Sequence, residues 1–276
     1  MKKTLLSVAL IASGVFAATS AMAAPYTVNT ALNGITAGFD NVITATGSTV
    51  VTAQVVSGQN VYNYIDKDGN PATVTVTRPT GGSASPFGGP GSYSNMTGAI
   101  WDISPGGAAG GGVGGKADIP GFSSGLTFTF SSPVNAFGFE IGDWATCCMT
   151  NTRPADVQAD YGVPANGSGL WIAFDGGAFT LPANALSSSD NPGIPAQGTY
   201  TNFIGAIDSS SFFSTITFFG DGFGEVLYAG GTLRFASVPK GSVCTGGACN
   251  VPEPQALALL GLGLLGLIGA RARKAA

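Results

Sequence analysis

From Gly125 to Ile141 the chain alternates apolar residues with polar or small ones at a period of two, and that rhythm restricts what it can fold into. In Leu126-Thr127-Phe128-Thr129-Phe130 an extended backbone puts the apolar side chains on one face and the threonines on the other. Ser131-Ser132-Pro133 then predicts a turn, after which Val134, Ala136, Gly138 and Glu140 oppose Phe137, Phe139 and Ile141. Runs of the same style recur at 170–174, 179–181, 200–205, 212–219 and 232–238, with turn-forming residues between them. Upstream, 50–56 and 61–65 flank Ser57-Gly58-Gln59-Asn60, the pattern of a hairpin. The Asp66-Lys67-Asp68-Gly69-Asn70-Pro71 turn leads into a strand at 72–77. Its glycine stands at the fourth place, where an EF-hand loop needs it at the sixth, so a tight turn is expected there. Residues 80–121 are glycine-rich loops around one short strand at 99–103; Lys116-Ala117 lacks the Lys-Ser/Thr of a phosphate-binding loop. The expected fold is all-β, an antiparallel sandwich with glycine-rich loops, and helical periodicity is nearly absent between the two ends.

The ends read differently. Met1-Lys2-Lys3 precedes a short apolar run and the small-x-small site Ala21-Met22-Ala23, the three parts of a secretory signal peptide over residues 1–23. Cleavage after Ala23 is expected, with the Sec translocon and signal peptidase as partners. At the other end Val251-Pro252-Glu253-Pro254 precedes an apolar run at 256–270 and the basic residues Arg271, Arg273 and Lys274. The prolines place the start of a helix after Pro254. At 1.5 Å per residue such a run spans roughly 22 Å, against a hydrocarbon core of roughly 30 Å. It therefore makes a short transmembrane helix whose arginines reach the interface. The basic cluster stays cytoplasmic by the positive-inside rule and leaves the body, residues 24–250, outside.

This order of motif, apolar helix and basic tail over 251–276 resembles the PEP-CTERM sorting signal. The resemblance implies processing by an exosortase near Pro252, Glu253 and Pro254, a transient inner-membrane anchor, and delivery to the cell surface or extracellular matrix. The stretches FTFSSPVNAFGFEIGDW and ITFFGDGFGEVLYAGGTLRF are similar to the jelly-roll body recurrent in PEP-CTERM proteins, itself similar to carbohydrate-binding modules. That likeness implies a jelly-roll-like sandwich and the host's exopolysaccharide as a candidate partner. Where those proteins often carry aspartate after Gly-Phe-Gly, this chain has Glu225.

Between the two ends six basic residues face fourteen acidic ones, a net charge of minus eight, so the body has no electrostatic footprint for nucleic acid. The chain has no histidine, which removes Ser-His-Asp and Cys-His catalysis and imidazole metal ligands. Carboxylates alone remain for acid–base chemistry. Glu140 with Asp143, or Asp221 with Glu225, could be set as a hydrolytic pair, but no further catalytic signature accompanies them, and the chain is read as non-enzymatic.

Asp221-Gly222-Phe223-Gly224-Glu225 puts two carboxylates on a turn, and Asp40 could join them if the first and last strands are neighbours. That makes Asp40, Asp221 and Glu225 candidates for a structural calcium, with turn chemistry as the alternative account. Trp144, after Gly142-Asp143 in an expected loop, is the candidate sugar-stacking residue; Trp101 and Trp171 read as core. Cys147, Cys148, Cys244 and Cys249 suit disulfides in an exported protein. Cys244 with Cys249 would close a small glycine-containing loop and leave the adjacent pair bonded together or free. Alternatively Cys147 and Cys148 tie one each to Cys244 and Cys249.

Overall fold

A computed structural model describes residues 26–31, 36–104, 119, 121–142, 152–186, 201–221, 227–244 and 247–248. The strands are β1 (Tyr26–Ala31), β2 (Val51–Gln54), β3 (Val61–Ile65), β4 (Pro71–Thr77), β5 (Ile100–Asp102), β6 (Leu126–Val134) and β7 (Ala136–Gly142). They continue as β8 (Ser168–Phe174), β9 (Thr180–Ala185), β10 (Thr201–Ile207), β11 (Phe213–Gly220), β12 (Tyr228–Ala236), β13 (Val243–Cys244) and β14 (Gly247–Ala248). One sheet has the order β1-β10-β7-β12-β2, with β5 also on β12; the other runs β3-β4-β6-β11-β8-β9. Every pairing in them is antiparallel. From β6 to β12 the chain passes repeatedly between the sheets, so that β11 lies between β6 and β8 while β7 lies between β10 and β12. The fold is a jelly-roll-like antiparallel β-sandwich.

The phenylalanine alternation builds the interior. Phe128 and Phe130 of β6 meet Phe137 and Phe139 of β7, Phe213 and Phe218 of β11 and Phe235 of β12 in one buried cluster. Ring centroids there lie 4.5 Å apart for Phe128–Phe137 and for Phe139–Phe218. Trp101 sits in the same cluster and donates its indole N–H to the Ala84 carbonyl at 3.0 Å, so its polar edge is satisfied.

Three expectations fail in instructive ways. β2 and β3 form no hairpin: β2 pairs with β12 in one sheet and β3 with β4 in the other, so the 57–60 connection crosses the sandwich. Nor is Ser131-Ser132-Pro133 a turn. β6 runs on through Val134, and the chain changes sheets at Asn135. Asn135 is fully buried, and its amide bridges to the backbone of Val238, donating at 2.9 Å and accepting at 2.7 Å. Its own N–H and carbonyl join Ala236 and Asp208, so every polar group at the corner has a partner.

Helices also occur between the ends, against expectation. α1 (Thr36–Ala45) buries Phe39 and Ile43 four residues apart on one face, against Phe203, Ile207 and Ala236 on the outside of the first sheet. Gly205 of β10 makes the approach feasible: a Cβ there would stand 2.6 Å from the Phe39 ring. α2 (Ala155–Tyr161) starts after Pro154 and ends at Gly162, whose φ of 63° closes the last turn with an N–H bond to Gln158. With the 3-10 turn at Phe122–Ser124 it covers Trp171 and Phe219 on the outside of the second sheet. No helix among the described residues is long and apolar enough to cross a membrane.

Candidate functional sites

At one end of the sandwich the sheets splay around a cleft of about 700 Å³. One wall is the start of β2 and the end of β12, with Ser48, Thr49 and Ser237; the other is the β3–β4 turn and the end of β6, with Tyr64, Asp66 and Ser132. The turn holds itself rigid. Asp66 Oδ1 accepts the N–H groups of Asp68 at 2.9 Å and Asn70 at 2.8 Å, and Oδ2 accepts the Ser132 hydroxyl at 2.9 Å. These bonds, led by that from Asn70, hold the Asp66 carboxyl below its ordinary value. Lys67 pairs with Asp68 at 2.7 Å, and Tyr64 donates to the Ser132 carbonyl at 2.7 Å. The cleft therefore holds one carboxylate without a cation, Asp66, bonded to N–H and hydroxyl donors, and presents hydroxyls on both walls.

The carboxylates singled out in the sequence stand elsewhere and do other work. Asp221, just after β11, is buried and paired with buried Arg153 at 2.7 Å. It also accepts the indole N–H of Trp171 at 2.6 Å and the Gly169 N–H at 2.5 Å. The guanidinium is saturated in turn: the carbonyls of Pro164, Asn166 and Gly167 and the Asn184 side chain, at 2.6 Å, accept its remaining donors. Arg153 was not among the candidates. Asp40, in α1, instead pairs with Arg234 of β12 at 2.5 Å. The two aspartates proposed to share a calcium ion are thus committed to separate arginines, and Glu225 lies outside the described residues. No cluster of three or more His, Cys, Asp or Glu side chains fit to hold a metal is found among the described residues.

Glu140 is buried on the outer side of the first sheet, where it accepts the N–H of Thr97 at 2.7 Å and of Thr232 at 3.1 Å, and the Thr97 hydroxyl. Burial pushes its carboxyl above the ordinary glutamate value, and these bonds pull part of the way back. The carboxylate thereby ties a loop to β12. Its suggested partner Asp143, the stacking candidate Trp144, and Cys147, Cys148 and Cys249 lie outside the described residues. Cys244 ends β13 opposite Gly247 of β14 and is not a free thiol. Ala21, Ala23 and the whole of 251–276 also lie outside the described residues.

The tail is where comparison with known proteins is informative. Residues 250–274 match the PEP-CTERM protein-sorting motif. This is an exosortase substrate's signal. The match spans Pro252, Glu253 and Pro254, the apolar run, and Arg271, Arg273 and Lys274. The PEP-CTERM signal marks a protein that is exported, held transiently in the membrane and sorted to the cell surface, with exosortase as the processing partner. Neither a curated protein nor a solved structure matches the chain.

Proposed function

We propose that this chain is an envelope or extracellular-matrix protein whose β-sandwich, residues 24–250, acts as a structural or surface module and not as an enzyme. The PEP-CTERM motif at 250–274 carries the reading. An N-terminal leader removed after Ala23 delivers the chain to the Sec translocon, the C-terminal helix arrests it in the inner membrane, and exosortase cuts near Pro252-Glu253-Pro254. Disulfides among the four cysteines suit the oxidising side of that membrane. The non-enzymatic part draws support from the described carboxylates: Glu140, Asp221 and Asp40 are engaged by backbone N–H groups or arginines and do not converge on one another.

Mass spectrometry of the protein recovered from its native host, with and without active exosortase, tests the reading. The expected species begins at Ala24 and ends near Pro252 when exosortase is active, and keeps its tail when exosortase is deleted. A chain intact through Ala276 in the presence of active exosortase would sink it.

A second reading, a module that binds the host's exopolysaccharide, is favoured by the hydroxyl-lined cleft at the end of the sandwich.

A further inference from the structure

The second sheet is covered unevenly. Its β8 side lies under α2 and the 3-10 turn, which bury Trp171, Ala173 and Phe219. On β3, β4, β6 and the first part of β11 the outward side chains are half-buried or exposed and none carries a charge. They are mostly threonines, and the strand register brings them into rows. Thr75 stands beside Thr129, which stands beside Thr215. Thr77, Thr127 and Thr217 make the next row, with the Thr127 and Thr217 hydroxyls bonded at 2.9 Å. Thr73 and Ser131 continue the pattern toward the end of the sheet, the Ser131 hydroxyl accepting the Thr73 N–H. With strands about 4.8 Å apart and alternate residues about 6.7 Å apart, the patch measures roughly 10 by 13 Å.

The hydroxyl face runs into the cleft without a break. A shallow depression of about 360 Å³, lined by Asn63, Ile65, Pro71, Thr73 and Ser131, shares Tyr64 and Ile65 with the end cleft. Ile65 forms the saddle between them and is 57% exposed. Cleft, saddle and face make one track long enough for an extended polymer.

We infer that this track binds a neutral, unbranched stretch of polysaccharide, the polymer lying along the threonine rows and its end entering the cleft. The inference rests on the glycan-binding reading and gives it a site. Threonine hydroxyls donate and accept as sugar hydroxyls do, and their methyl groups offer apolar contact to the C–H faces of the rings. An anionic polymer would need basic side chains, and Lys67, the ammonium at the cleft, is already paired. A folded protein partner would want aromatic or arginine anchors in pockets, which this face does not present.

The test is affinity electrophoresis of the mature protein from its host, in gels containing neutral glucans, mannans, galactans or xylans, with alginate as the anionic comparison. Thr129→Lys puts a charge at the centre of the face, and Thr44→Lys puts the same charge on the exposed side of α1, over the other sheet. Retardation by at least one neutral polysaccharide is expected, weakened tenfold or more by Thr129→Lys and unchanged by Thr44→Lys, with equal melting temperatures. Should Thr129→Lys fold poorly, Thr129→Val with Thr217→Val removes two hydroxyls at nearly constant shape and is expected to weaken retardation in the same direction. Retardation that neither set of variants alters would overturn this site and leave glycan binding located elsewhere. Retardation by alginate alone would overturn the neutral-ligand argument, and none by any polymer would overturn both the site and the reading beneath it.

Discussion

Replacing Arg153 by methionine isolates the contribution of the most buried charge pair among the described residues. Arg153 and Asp221 have side chains only 2% exposed, and the guanidinium spends all its donors on Asp221, three carbonyls and Asn184. Methionine fills much of the same volume but leaves the Asp221 carboxylate with only the Gly169 N–H and the Trp171 indole. Removing one partner of a buried pair costs about 3–5 kcal/mol, chiefly because the other charge stays desolvated. For a domain of this size each kcal/mol lowers the melting temperature by about 2–4 °C, so a fall of roughly 6–20 °C is expected. Asp221→Asn in the Arg153→Met background removes the stranded charge, so the double variant should be more stable than the sum of the single losses implies. Urea unfolding followed by tryptophan fluorescence measures all three, since Trp171 stacks on Phe219 with centroids 6.0 Å apart and reports on the network directly. An Arg153→Met protein within about 1 kcal/mol of the parent, or strictly additive losses, would refute the argument that Asp221 is left as a desolvated, unpaired charge.

Two further outcomes follow from the packing. Glu140 has a raised carboxyl value in the fold, so the stability it adds is fully present below the ordinary glutamate value and is lost as the pH rises through the raised one. The Glu140→Gln variant should therefore lose less stability than the parent between mildly acidic and neutral urea titrations, and a steeper loss in the variant would contradict this. Gly205→Ala places a methyl 2.6 Å from Phe39 and 2.9 Å from Phe203, both fully buried and packed edge to face. A cost of about 1–3 kcal/mol in denaturant unfolding is expected, and a neutral result would mean that α1 is not seated on that face as described.

Much of the sandwich was legible because a period of two needs no long-range information. The alternation in 126–130 and 136–141 assigned inward and outward faces correctly, and the tight turn between β3 and β4 followed from Asp-Gly chemistry. What a local pattern cannot say is to which sheet a strand belongs. The 57–60 connection looks like a hairpin loop, yet Gly58 and Asn60 bond to Pro86 and Val76 and not across a shared turn. Likewise Ser131-Ser132-Pro133 carries turn-forming residues, but the corner is made two residues later by a buried asparagine whose partner is about a hundred residues away. α1 was missed because glycine, asparagine and two threonines mask a short apolar stripe in which Phe39 and Ile43 decide the packing.

Asp221 carries a signal that its local sequence hides. A carboxylate after an apolar strand, with glycines following it, has the local pattern of a turn residue or calcium ligand. Yet Arg153 is the only basic residue between Lys116 and Arg234, in a body with few charges of either sign. A carboxylate that folding draws into the interior must find a cation, and the candidates were very few.

The position of the last packed residue bears on how sorting and folding are related. All three core clusters draw their members from Phe39 to Val243. The C-terminal ribbon is fastened by Val243, whose N–H and carbonyl both bond the buried Ser209 hydroxyl between β10 and β11, at 3.2 and 3.0 Å. The Pro-Glu-Pro motif begins at Pro252, beyond that fastening, so a cut there removes no core side chain and breaks no sheet pairing among the described residues.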